Sequence, residues 1–252
     1  MTNRDIATVV AAMDARLLRM PPEQSPQRVF LETYRRTTLA VGKAIDDAGF
    51  EDPEWVERWD VAFGDLYLAA LDLDLEGSRD VPRPWRLAFD APVSLPALRH
   101  VLLGINAHIN YDLPQALLTV ISDDDFASPS VVAARRRDHE RIDGVLSGRV
   151  GAEDDELGAL SARTVVDRLL QPLNRLSSKR FLREARTKVW HNTLELQRAR
   201  LAGEQEYAAR LAELEVLSAA RIADLLAPGQ VLLRLAVAGF GVTLPPPSAS
   251  AP

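Results

Sequence analysis

LPALRHVLLGINAHINYDLPQALLTVI, residues 95 to 121, is the most apolar stretch of the chain. Its length suits a buried helix better than a strand, and Pro114 is expected to break that helix. Four hydrogen-bonding side chains interrupt it: Asn106, His108, Asn110 and Asp112, alternating with Ala107, Ile109 and Tyr111. On a helix Asn106 and Asn110 share one face and His108 and Asp112 an adjacent one. Burying such groups unpaired costs roughly 1 to several kcal/mol each, so they are expected to face a polar site or a closed network. A scaffold alternative stays open, in which Asp112 caps a new helix at Leu113-Pro114 and the asparagines bond the broken backbone.

Outward from this stretch the helical period recurs. Ile6, Val9, Val10, Met13 and Leu17 mark a helix over Asp5 to Met20, stopped by Pro21-Pro22. A second is predicted from about Pro26 to Ala48 before Gly49, and Asp52-Pro53-Glu54 opens a third toward Leu73. Prolines 82, 84, 92 and 96 predict an irregular segment without helix. Asp123-Asp124-Asp125 is expected in a turn. Further helices are predicted over Ser130 to Leu146 (closed by Gly148 and Gly151), Ser161 to Leu176, Phe181 to Leu201, onward past Gly203 to Leu225, and Gln230 to Ala238. The fold class is therefore all-α: a single-domain bundle of roughly eight to ten helices over residues 1–243. A Pro/Ser/Ala tail over 244–252 is expected to be disordered.

Composition narrows the function classes. With no cysteine, thiolate metal sites, iron–sulfur clusters and cysteine nucleophiles are excluded. A net charge of -6 argues against a nucleic-acid partner, and Arg135-Arg136-Arg137 is too short a run to reverse that. Val231 to Val242 is too short for a membrane span, and Met1 to Met20 lacks the apolar core of a signal peptide. A cytoplasmic location is the resulting expectation. No glycine-rich loop follows a strand, so neither nucleotide nor flavin is indicated.

Three of the four histidines precede a carboxylate by four: His108 and Asp112, His139 and Asp143, His191 and Glu195. That spacing can place both groups on one metal ion, or let the acid orient the ring for proton transfer. His100 lies eight before His108, with Gly104 between them leaving room for an approaching group. An exposed salt-bridge network is the plainer account of His139, in Asp138-His139-Glu140-Arg141, and a surface or core-edge position the plainer one for His191. Asp60 and Asp65, in an aromatic helix with Trp55, Trp59, Phe63 and Tyr67, are further candidates, although pairing with Arg86 or Arg99 is the commoner fate.

The segments Leu103 to Pro114, Arg58-Trp59-Asp60 to Ala70, Asp138 to Asp143 and Val189-Trp190-His191-Asn192 together resemble the DUF5995 family of mainly actinobacterial proteins. The resemblance spans about residues 5 to 240 and implies no mechanism. Other helical chemistries fit less well. Asp123-Asp124-Asp125 is half of a cyclase-like magnesium motif, but Leu182 stands where the second half, counted from Asn174 and Ser178, needs an acid. No Glu stands three before a His, as a ferritin-like di-iron site requires.

The reading is an enzyme acting on a small organic molecule through Asn106, His108, Asn110, Asp112, His139, Asp143, His191 and Asp60. It would work either by His–Asp acid–base chemistry or, in a hydrolase- or cyclase-like manner, with one divalent metal (zinc, iron or manganese) on His108, Asp112, His139 and His191. The alternative is a non-catalytic protein binding a small molecule or partner. A homo-oligomer through Tyr207 to Leu226 and Val231 to Phe240 is a further expectation.

Overall fold

The computed structural model describes residues 5–20, 26–160, 165–229 and 239–246, without the side chains of 143 and 146–183. The expected helix at Gln230 to Ala238 and the side chain of Asp143 lie outside the described residues.

Three helices form where their start signals stand. In α1 (Ile6–Arg19) the Asp5 carboxylate accepts the Thr8 N–H at 2.8 Å. The second, α2, spans Pro26–Asp46. In α3 (Pro53–Leu75) Asp52 accepts from the Trp55 N–H at 2.9 Å, with Pro53 in the first turn and Glu54 at the positive helix end.

The proline-rich segment departs from expectation. It holds a short helix, α4 (Arg83–Phe89), because Pro82 sits at its cap and Pro84 in its first turn, where no N–H is needed. Proline there is compatible with the helix it was expected to exclude. Trp85 and Phe89 project from it into the core.

The apolar stretch becomes α5 (Ala97–Ala107), a π-helical turn (His108–Asp112) and α6 (Leu113–Val120). Pro114 has no N–H to donate, and its ring would crowd the carbonyl of Asn110 in an unbroken α-helix. The wider turn relieves that conflict: the Leu113 N–H reaches back five residues to the His108 carbonyl. All five residues of the turn are buried.

After it come α7 (Asp123–Ala127), α8 (Pro129–Leu160), α9 (Val165–Ala202) and α10 (Glu204–Leu226). The three aspartates expected in a turn form the first turn of α7, capped by Ser122, where negative charge meets the positive helix end. Gly148 and Gly151 do not close α8, and the two helices expected between 161 and 201 are, from Val165, one. Glycine inside a helix costs only about 1 kcal/mol, which neighbouring contacts override.

The main core joins α1 to α6 and α8 to α10, with Trp55, Tyr67 and Trp85 fully enclosed. A smaller apolar cluster holds Tyr111, Leu118, Leu196, Leu214 and Leu244. The buried Asp138 carboxylate of α8 accepts the backbone N–H groups of Glu51 (2.7 Å) and Asp52 (2.8 Å), locking α8 to the start of α3. Leu214, Ile222 and Leu225 of α10 are buried within this chain. Leu244 is only 1% exposed, and Arg210 donates to the Pro245 carbonyl. No helix among the described residues is long and apolar enough to cross a membrane.

Candidate functional site

The π-turn carries the site. Because it keeps residues 108 and 112 on one side, His108 Nδ1 lies 2.8 Å from Asp112 Oδ2. The Trp85 indole N–H, delivered by α4, donates to the same oxygen at 2.8 Å. Asp112 therefore turns inward, and its side chain does not cap α6.

Aromatic rings wall the pair. Phe63 of α3 lies flat on the imidazole, centroids 3.5 Å apart and planes within 5°. Tyr34 meets it edge-on at 4.5 Å, and Tyr67, Trp85 and Phe30 stand at 5.8, 5.7 and 6.1 Å. Two glycines leave room for this packing, Gly104 for a ring of the cage and Gly64 for Val9 of α1. A Cβ on Gly104 would fall 2.2 Å from the Phe30 ring, and one on Gly64 would lie 3.6 Å from the Tyr34 hydroxyl and 2.8 Å from Val9. The room that Gly104 leaves beside the histidines is thus filled by Phe30.

This enclosure dictates the electrostatics. Burial pulls the His108 ring well below the usual imidazole range and pushes the Asp112 carboxyl well above the usual carboxylate range, the Trp85 hydrogen bond opposing the latter. Both partners are thereby driven toward their neutral forms. Asp60, one turn before Gly64 on α3, is raised to about 7 by burial and then by the charge of Glu57. Its expected arginine partners are engaged elsewhere: Arg99 donates to the Leu225 and Ala227 carbonyls and Arg86 to that of Arg79. Burial lifts the Tyr34 and Tyr67 hydroxyls well above the ordinary phenol range, and the charges of Asp60 and Asp112 add to the effect at Tyr34. His108 Nε2, Asp60 Oδ2 and both tyrosine hydroxyls are buried without a hydrogen-bond partner. Thr38, the polar neighbour of the Tyr34 hydroxyl, closes no bond of ordinary geometry with it.

The other predicted residues go elsewhere. Asn106 donates to the Leu102 carbonyl at 3.0 Å and accepts from Asn110 at 3.2 Å. Asn110 turns to the C-terminal segment, so the asparagines serve backbone rather than the imidazole pair. His139 is buried apart from His108, between Trp59 (5.3 Å) and Trp190 (5.7 Å), its Nε2 also unpartnered. Burial, reinforced by Arg186 and Arg136, lowers its basicity well below the usual range. An exposed salt-bridge network is thus not its setting. His191 is exposed and bonds the Leu244 carbonyl at 3.2 Å, while Glu195 pairs with Arg198 and Arg210. It is not part of a buried site. His100 is buried with Nδ1 unpartnered, and Asp65 is half-buried. Among the described residues no three histidine or acid side chains gather as metal ligands, so the set His108, Asp112, His139 and His191 does not assemble.

Residues that sequence reasoning left out are Tyr34 and Phe30, which reach His108 from α2. For Phe30 the signal lay in Gly104, whose missing side chain makes space for a ring from another helix.

Fold and site together define an all-helical protein with an imidazole–carboxylate pair sealed in an aromatic cage. The chain belongs to the family of unknown function DUF5995, whose sequence profile matches residues 6–228. No curated protein and no solved structure matches it.

Proposed function

We propose that the chain is an enzyme acting on a small organic molecule, with His108 and Asp112 as its general acid–base pair. One observation carries the reading: His108 Nε2 is buried without a partner while Nδ1 is held by Asp112. A ring nitrogen whose neighbour is held by a carboxylate and which has no protein partner of its own is what proton transfer to a bound molecule needs. The unpartnered Tyr34 and Tyr67 hydroxyls and Asp60 Oδ2 supply further polar groups for a substrate, and the rings around them favour a molecule with an apolar body. Asp60, poised at about 7, exchanges protons near neutral pH and is suited to act as a second acid or base.

A screen of small carbonyl, ester and hydroxyl compounds, read by melting temperature and then by turnover, tests this. A compound that stabilises the wild type should be converted. His108→Asn should retain the fold, since its amide nitrogen stands where Nδ1 does and still meets Asp112, and lose turnover by about 100-fold or more. Equal binding by both proteins with no conversion of any stabilising compound would favour the non-catalytic binding role. Metal analysis of untagged protein tests a metal-assisted form of the same chemistry: a stoichiometric zinc, iron or manganese lost in His108→Asn would support it.

A further inference from the structure

The extended segment Phe240 to Pro245 is held by its backbone. Asn110 of the π-turn accepts the Val242 N–H at 3.1 Å and donates to the Phe240 carbonyl at 3.3 Å. Asn192 of α9 donates to the Val242 carbonyl at 3.0 Å and accepts the Leu244 N–H at 2.9 Å. Carbonyl 240, both groups of 242 and N–H 244 are what an adjacent β-strand would engage, so two side-chain amides replace a strand partner. Lys188 adds a bond to the Gly241 carbonyl at 3.0 Å, His191 one to Leu244, and Arg210 one to Pro245.

Side-chain preferences accompany this main-chain grip. Phe240 and Leu244 enter separate apolar clusters, 5% and 1% exposed. Position 241 favours glycine, because a Cβ there would lie 2.8 Å from the Lys188 side chain and 3.1 Å from the Ala185 backbone, so both would have to give way. The walls also meet one another directly: α9 packs on α10, and the π-turn packs on both. Arg210 is aligned by Glu195 at 3.2 Å and by Glu213.

We propose that this groove is a recognition site for an extended peptide with an aromatic residue, then glycine, and leucine at the fifth position, and that residues 240–244 are its ligand in cis. The proposal rests on bonds the His108–Asp112 pair does not make, so it stands or falls separately from the proposed chemistry.

Two measurements on the full chain test it. In the wild type, hydrogen exchange should show the Val242 and Leu244 amides protected, and Asn192→Ala should speed Leu244 by about tenfold or more while helix amides are unchanged. Unprotected amides, or no change in the variant, would overturn the assignment. In full-length Leu244→Asp, whose own segment is undocked, a fluorescein-labelled FGVTLPP peptide should bind one-to-one. N-methylation at the valine and leucine nitrogens should weaken it by at least about tenfold, because it removes both donors. Equal binding of the methylated peptide, or no binding to a variant with wild-type circular dichroism, would show that no exchangeable backbone-reading site exists. If Leu244→Asp does not fold, Leu244→Ser takes its place, judged by the same two outcomes.

Discussion

Asp60 shows how one buried residue makes stability depend on pH. Its carboxyl is raised to about 7 in the folded chain from an ordinary value of 3.8, because burial penalises the charge. An acid whose folded value is raised binds its proton longer in the native state than in the unfolded one, so stability is lost as pH climbs from about 4 to about 7. Asp60→Asn removes that ionisation. The variant is expected to gain on the order of 3 kcal/mol relative to wild type between pH 5 and 8, measured by urea unfolding at the two pH values. An unchanged difference would mean that Asp60 is solvated in solution.

The decisive element is α5 with its π-turn and α6. Pro114 forbids a regular helix, and the imidazole pair and the asparagine pair form around the wider turn on alternating residues. On the preceding turn, Gly104 admits the Phe30 ring that walls the cage. Gly104→Ala would drive a methyl into that ring at 2.2 Å, too close for a rigid aromatic to accommodate. Overpacking of this kind costs about 1–3 kcal/mol despite the better helix propensity of alanine. Adding Phe30→Leu should recover part of the loss. Additive destabilisation in a double-mutant cycle by thermal unfolding would contradict direct contact.

Across the whole molecule two opposed sets of buried groups set the pH profile. His108 and His139 have folded values well below 6.5, so the unfolded chain takes up their protons first and stability falls as pH drops below about 6.5. Asp60 and Asp112 act in the other direction, losing stability as pH rises above about 4. Between these limits the terms oppose each other, and the wild type is expected to show a shallow profile. His139→Phe, filling the space between Trp59 and Trp190 with an uncharged ring, removes one histidine term. It should spare on the order of 1 kcal/mol of the loss between pH 7.5 and 5.5. A profile parallel to wild type would show that His139 is not buried neutral.

The residue order by itself determined the helical class, the start of α1 at Asp5 and of α3 at Asp52, and the polar insert in the oiliest helix. Periodicity, caps and composition are local properties, and those features depend on nothing else. The i, i+4 rule likewise identified His108 with Asp112 and Asn106 with Asn110. Only the tertiary structure decided what each pair faces. Rings from α2, α3 and α4 enclose the first, residues 240–244 meet the second, His139 lies in a tryptophan pocket of its own, and His191 is left exposed. A helix pattern tells which residues turn inward together but carries no information on which distant helix they meet. That is set by packing, here by two glycines and one proline whose effect appears only when the helices are assembled.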